Sequence, residues 1–420
     1  MDPVVAGPTG RGVAMKLAWF AAAADPNVAS FRYRCLAPAW ALRDLGHDST
    51  VFVDEVPDPE HHDALIAVKS AGARVDEAAR RFRAQGKPVY LDLCDNVFVP
   101  GYAQRRGPEL SADTVSGLAR QAAGIVTPNA ALDRVVRAHL HPAVQSWIVP
   151  DAALTPHAYQ AMSAWLSGKV AGNPHKGHPR WGMDRLLAGG RRSGAAKGNA
   201  VDSSVSHDRH DQDMFGVDTD WQVDHLPAET ARVIWFGRHG SFHSDFGMGL
   251  LKPVIGVLEQ THRERPIELV VISNNRNRFD ALTHDARIFT RYEDWSNERV
   301  FFELSRADLF VMPSGIDPFS LCKSANRAVL ALANDVPVVA SYLESLEPLR
   351  DAMIIDDWQA GIDTYLLDRA VAEKHLALAR PILAEEFSIA AIGRRWNAAL
   401  GCDAPLPDRA TSPMSIAQSA

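Results

Sequence analysis

The sequence holds only four cysteines (Cys35, Cys94, Cys322 and Cys402), and no two of them stand in CxxC spacing. Neither a zinc ligand set nor a disulfide framework is therefore indicated. No apolar run approaches the ~20 residues of a membrane-spanning helix. Neither sign of charge dominates: 44 Lys and Arg against 51 Asp and Glu leave a net charge of −7, which gives no overall footprint for nucleic acid. There is no Walker loop, since no Gly-Lys-Ser/Thr closes a glycine-rich turn, and no dinucleotide fingerprint with an acid at the next strand end. These absences fit a reducing cytoplasm, with at most peripheral contact at the inner face of a membrane. A secretory signal in Leu17–Ala24, after Arg11 and Lys16, is the weaker alternative, because the run is short and leads at once into a strand-loop-helix unit.

What is present is room for two cores. A chain of 420 residues with 46% hydrophobic content is long for one domain and comfortable for two α/β domains. Residues 1–14 are rich in Gly and Pro and read as disordered. Residues 15–151 alternate strand and helix: Lys16–Ala22, Thr50–Val53, Ala64–Lys69 and Lys87–Leu93 read as strands, with helical patterns between them. Residues 152–230 break that pattern and read as a linker or insertion, largely low-complexity from Lys169 to Asp220. His175, His178, His207 and His210 within it have no metal-ligand spacing, so no metal site is assigned. Alternation resumes over 231–402, and the tail 403–420 reads as frayed.

The most specific stretch runs from Met312 to Ser341. An apolar strand (Ala307–Met312) ends in Pro313-Ser314-Gly315; a loop carries Asp317-Pro318-Phe319; Lys323-Ser324-Ala325-Asn326-Arg327 then opens a helix that leads to the strand Val336–Ala340. A helix start offers unpaired N–H groups and partial positive charge, and Lys323 and Arg327, at i and i+4, are expected to share one face. An anion with several oxygens, such as a diphosphate, is the expected guest. Elsewhere, Asp92 and Asp95 end a strand where carboxylates reach a substrate; Asp95, followed by Asn96, is the candidate base or hydroxyl anchor. Gly237-Arg238-His239-Gly240-Ser241 forms a strand-to-helix turn whose glycines admit a ligand close to the backbone. Ser273-Asn274 ends the next strand with neutral polar groups, and Trp295 is a candidate for stacking on a nucleobase or for packing.

The motif resembles the donor-sugar segment of GT-B glycosyltransferases of the retaining, family 4-like type, in which an acid-Pro-Phe loop leads into a helix and then a Pro-Val-Val-Ala strand. The likeness implies two Rossmann-like domains facing each other across a cleft, with a final helix crossing back to the first domain. It also implies hexosyltransferase-like transfer from a nucleotide-diphosphate sugar without a metal or other cofactor. In the resembled enzymes the loop acid holds donor-sugar hydroxyls, a role that falls to Asp317. Lys323, Ser324, Asn326 and Arg327 become the grip on the diphosphate, while the turn 237–241 meets donor phosphate or sugar and Glu344 meets ribose or donor hydroxyls. The first domain binds the acceptor (glycan, lipid or small molecule), with Arg32, Arg34, Asp95 and Asn96 as candidate contacts. The sequence departs from the family in having Asp for the usual first Glu and no carboxylate at Ser324 or Ala325. The alternatives are a GT-B protein that binds nucleotide sugar for assembly without catalysis, and a GT-B sugar-nucleotide epimerase or hydrolase.

Overall fold

Strand β1 (Lys16–Ala21) sends alternate side chains to opposite faces: Leu17, Trp19 and Ala21 join one apolar cluster, Ala18 and Phe20 another. Burial on both faces is why it reads as an unbroken apolar run. The computed structural model describes residues 14–140, 144–171, 226–239 and 247–402. The readings at Gly240, at Ser241, at the four histidines 175, 178, 207 and 210, and at both termini fall outside them.

The first sheet contains β1, β2 (Asp48–Phe52), β3 (Ala64–Val68), β4 (Val89–Asp92), β5 (Gly124–Thr127), β6 (Gln145–Ile148) and β7 (Val170–Ala171). Their order is β6-β5-β4-β3-β1-β2-β7 and every pairing is parallel. The second sheet contains β8 (Ala231–Phe236), β9 (Ile267–Ser273), β10 (Phe289–Asp294), β11 (Leu309–Met312), β12 (Val338–Ala340) and β13 (Ile354–Ile355). It runs β10-β9-β8-β11-β12-β13, again all parallel. Two doubly wound α/β units are thus present, as the alternation predicts.

The first unit extends past 151, which corrects the reading of 152–230 as linker from its start. A helix spans Pro156–Leu166, capped by Thr155 with a proline in its first turn. Tyr159, Met162 and Leu166 recur at i, i+3 and i+7 and bury one face in the core, and β7 then pairs with β2. The histidine- and glycine-rich text further on masked this short amphipathic pattern.

One apolar cluster joins the two units, holding Leu17 and Trp19 of the first sheet with Phe236 and Phe310 of the second. The last helix, Ile389–Ala399, lies against the first unit. Its Trp396 packs edge-on against Trp19, with ring centroids 5.1 Å apart. A Cβ at Gly393 would stand 3.2 Å from both Cβ and the carbonyl oxygen of Ala41, so glycine permits this close approach. His47 Nδ1 accepts from Met15 N–H at 3.1 Å, and its Nε2 is 2.9 Å from Asn397 Oδ1.

Because Trp396 is fully buried between the units, Trp396→Ala is expected to cost about 3–5 kcal/mol. Denaturant unfolding followed by Trp-independent far-UV signal checks this. A cost below about 1 kcal/mol would show that the helix contributes little to joining the units.

Candidate functional site

The carboxyl ends of both sheets meet at one polar seam, where open α/β sheets bind ligands. From the first unit come Asp92 at the end of β4, Asp95 just beyond it, Asn129 beyond β5 and Asp151 beyond β6. From the second come the turn after β8, the loop after β11 and the start of the motif helix, which spans Asn326–Ala333.

Arg34 lies in a π-helical stretch, Arg32–Leu36, and is 1% exposed. Its guanidinium forks onto Asp92 (Nε to Oδ1 3.0 Å, NH2 to Oδ2 2.7 Å). NH1 donates to the Val149 carbonyl at 2.6 Å and to Asp151 Oδ1 at 3.0 Å. Burial pushes the Asp92 carboxyl up, and Arg34 opposes it. A doubly paired, buried arginine is a structural ion, so Arg34 does not serve as an acceptor contact. The other oxygen of Asp151 crosses the seam, accepting from Ser324 Oγ at 2.6 Å and Asn326 Nδ2 at 3.1 Å.

Asp95 makes a second crossing. Its Oδ1 lies 2.5 Å from Lys323 Nζ; its Oδ2 takes Lys69 Nζ and, at 3.2 Å, the Tyr102 hydroxyl. Lys69 has a left-handed backbone, φ 45°, unusual for a residue with a side chain and a sign of local strain. Burial raises the Asp95 carboxyl, but the two ammonium groups outweigh it and hold the acid far below the usual carboxylate range. Two ammonium partners on one carboxylate favour the second of its candidate roles, the anchor, over the first, the base.

The motif residues therefore divide. Lys323 has extended backbone ahead of the helix, so it does not share a helical face with Arg327. Its ammonium also lies 3.9 Å from the centre of the Phe319 ring. Arg327 turns the other way, into the second unit, where NH1 is 3.4 Å from the Phe236 carbonyl. No carboxylate reaches it among the described residues, and burial pushes its pKa down to about 10. A Cβ at Gly237 would stand 3.3 Å from this guanidinium and 3.1 Å from the Trp235 ring. The buried Nε1 of Trp235 has no hydrogen-bond partner among the described residues. Among the described residues, a bare backbone, a cation without a carboxylate and an N–H without a hydrogen-bond partner thus gather at the end of β8.

Other predicted residues fall into local roles. Asp317 Oδ1 accepts from the backbone N–H of Phe319 (3.0 Å) and Ser320 (3.2 Å), and Oδ2 from Ser320 Oγ (2.5 Å). Burial raises this acid, but those hydrogen bonds prevail and keep it below its ordinary value. Both oxygens hold the loop, as a cap does. Ser273 is fully buried and donates to the Gly237 carbonyl at 2.7 Å. Asn274 Oδ1 accepts from His239, backbone N–H at 3.2 Å and Nδ1 at 2.8 Å. Arg238 is exposed at the same turn.

Trp295 packs near Phe236 and donates to the Asn27 carbonyl at 3.4 Å, so it joins the units instead of standing free for a base. Glu344 pairs with Arg134 of the first unit, NH1 to Oε1 2.6 Å. Asn96 donates to the Pro318 carbonyl at 3.1 Å. Arg32, 3% exposed, donates to the Pro26 carbonyl at 2.7 Å. Sequence reasoning missed Lys69, Asn129 and Asn297. Asn129 both caps its helix through Leu132 N–H and donates to the Cys322 carbonyl at 3.1 Å. Asn297 donates to the Pro26 carbonyl at 2.9 Å. Each follows a strand end, a position that marks it before any contact is known. Among the described residues no group of three or more His, Cys, Asp or Glu side chains is placed to hold a metal ion, and no helix is long and apolar enough to cross a membrane.

No family model and no curated protein matches the sequence. Solved structures do. A glycosyltransferase from Rickettsia africae is similar at 10% identity and TM-score 0.57, covering 92% of this chain and 98% of its own. HepE from Anabaena, in complex with UDP and glucose, is similar at 12% identity and TM-score 0.56, over 92% and 99%. A Listeria monocytogenes protein assigned as a UDP-N-acetylglucosamine 2-epimerase follows at 11% identity and TM-score 0.51, over 92% and 96%. Likeness across nearly whole chains shows the GT-B fold: two Rossmann-like units facing each other across a cleft.

The Asp95 clamp predicts a pH dependence. Its folded pKa is depressed, so its stabilisation is fully present above the ordinary aspartate value near 4 and is lost as pH falls below it. The denaturant midpoint of the native chain should exceed that of Asp95→Asn at pH 7, with the gap narrowing toward pH 3. A gap that does not change with pH would show that Asp95 is not held ionised.

Proposed function

We propose that this protein is a glycosyltransferase that binds a nucleotide-diphosphate sugar on its second unit and transfers the sugar to an acceptor held by the first. The observation that carries this reading is Arg327, a half-buried cation without a carboxylate, set against the bare backbone of Gly237 at the carboxyl end of β8. An unpaired charge of this kind is costly to hold and is relieved by an anion. A diphosphate seated there meets Arg327, the free N–H groups at the start of Asn326–Ala333 and, nearby, Lys323. The GT-B fold is shared with HepE, whose structure contains UDP and glucose, which supports a nucleotide-sugar donor.

In this reading the chemistry is leaving-group stabilisation. As the bond between the sugar carbon and the diphosphate oxygen breaks, negative charge grows on that oxygen, and fixed cations and helix-start N–H groups stabilise it in a partly dry site. Charge compensation comes from side chains, so the proposal assigns no metal. Neither Asp95 nor Asp317 is given the role of base, because both are engaged by hydrogen bonds from neighbours. That same engagement favours a second reading, a GT-B protein that binds nucleotide sugar without transfer.

A panel of labelled sugar nucleotides separates the readings. Label in an acceptor product supports transfer; free sugar or an epimerised nucleotide points to hydrolysis or epimerisation; retention without turnover points to binding alone. For the site itself, Arg327→Met should weaken nucleoside-diphosphate binding at least tenfold, the scale of a charge-assisted hydrogen bond at about 1.5–3 kcal/mol. The same change should leave the unliganded thermal midpoint unchanged or raise it, since a half-buried charge without a carboxylate is removed. Calorimetry with unchanged affinity in the folded variant would remove Arg327 from the site.

A further inference from the structure

Three of the donors expected to grip a diphosphate are already occupied by anions, and those anions belong to the protein. Asp95 Oδ1 sits on Lys323 Nζ at 2.5 Å, and Asp151 Oδ2 sits on Ser324 Oγ at 2.6 Å and Asn326 Nδ2 at 3.1 Å. Both carboxylates come from the first unit and all three donors from the second. A diphosphate and two carboxylates compete for these donors, because like charges a few ångströms apart repel.

The pairing is also built so that it can part. Asp95 keeps Lys69 and the Tyr102 hydroxyl when Lys323 leaves, and Asp151 keeps Arg34. Neither acid would be left buried without a cation from its own unit, which is the costly outcome of breaking most buried pairs. The neighbouring crossings are hydrogen bonds from Asn96 to the Pro318 carbonyl and Cys322 Sγ and from Asn129 to the Cys322 carbonyl, the partly exposed Arg134–Glu344 pair, and the packing of Phe319 and Cys322 against the first unit. Elsewhere the units are joined by apolar packing around Trp19 and Trp396, by hydrogen bonds from Trp295 and Asn297 to Asn27 and Pro26 and from Asn334 to the Leu154 carbonyl, and by a backbone bond from Ala153 N–H to the Phe387 carbonyl, 2.7 Å. The edge that carries Asp95 and Asp151 is the polar edge, and the two carboxylates are its latch.

We propose that Asp95 and Asp151 are intramolecular stand-ins for the donor's phosphates, so that closure of the first unit on Lys323, Ser324 and Asn326 and binding of a nucleoside diphosphate there exclude each other. The donor opens the polar edge on entry, and reclosing of the two aspartates expels the nucleoside diphosphate after transfer. The inference rests on the donor site proposed above, and extends it from what binds to what must leave first.

Two measurements on the full chain test it, with the tightest binder among UDP, ADP, GDP and dTDP as the probe. In the native chain, saturating probe should raise backbone hydrogen exchange at 93–97 and 149–152, because the latch releases. By calorimetry, Asp95→Asn should bind the probe about tenfold more tightly, since Lys323 is freed of its competitor, a gain of about 1.4 kcal/mol. Exchange at 93–97 and 149–152 that stays level or falls on binding overturns the latch, even if the Asp95→Asn affinity rises, since a change of local charge alone explains that rise. Affinity unchanged or weaker in a folded Asp95→Asn likewise overturns it and leaves the donor site standing. Absence of binding by every probe, in native chain and variant alike, removes the donor site and the latch together. The exchange arm needs no variant, so it decides the matter even if Asp95→Asn fails to fold.

Discussion

Asp151 is the constraint on which the rest of the seam depends. One of its oxygens completes the pairing of the buried Arg34 guanidinium, and the other fixes the start of the motif helix through Ser324 and Asn326. Arg34 in turn ties the first helical run to the end of β4 through Asp92. A buried ion set of this kind contributes little net stability against an apolar replacement, yet losing a single member costs about 3–5 kcal/mol. Its contacts bear on register, since they link the first helical run, the end of β4 and the start of the motif helix.

With that register set, the cations of the seam sort themselves by partner. Arg34 has two aspartates, Lys69 and Lys323 share one, and Arg134 has Glu344. Arg327 has none among the described residues, and it lies against the backbone of Gly237. Among these cations of the described residues, Lys323 and Arg134 are paired across the cleft, Arg34 and Lys69 within the first unit, and Arg327 meets no carboxylate. This asymmetry ties the fold to the proposed function more closely than the motif does on its own.

The fold was legible because its strands are buried on both faces. Runs such as Ala231–Phe236 and Leu309–Met312 show as continuous apolar text, and glycine or proline marks their ends. The helix Pro156–Leu166 was missed although Thr155-Pro156 is a start signal and Tyr159, Met162 and Leu166 keep helical spacing, because the low-complexity text that follows dominated the window. Within the site, residue type and strand-end position found the right neighbourhood, but not the partners. Lys323 and Arg327 look alike at i and i+4, yet the helix begins between them and sends them to different units. Ser273, Trp295 and Glu344 have side chains suited to a nucleotide sugar, but tertiary contacts engage each one: Gly237, Asn27 and Arg134 respectively. Such contacts span up to 268 residues of sequence, as Trp295 to Asn27 does, and no local pattern encodes them.

The most direct test of the anion site at the start of the motif helix is calorimetric titration of the unmodified chain with nucleoside diphosphates beside their bare nucleosides. A site built on Arg327 and helix-start N–H groups predicts that at least one nucleoside diphosphate binds tenfold or more tightly than its nucleoside, with affinity falling as salt rises. Equal affinity for the two, or binding of neither, would contradict it.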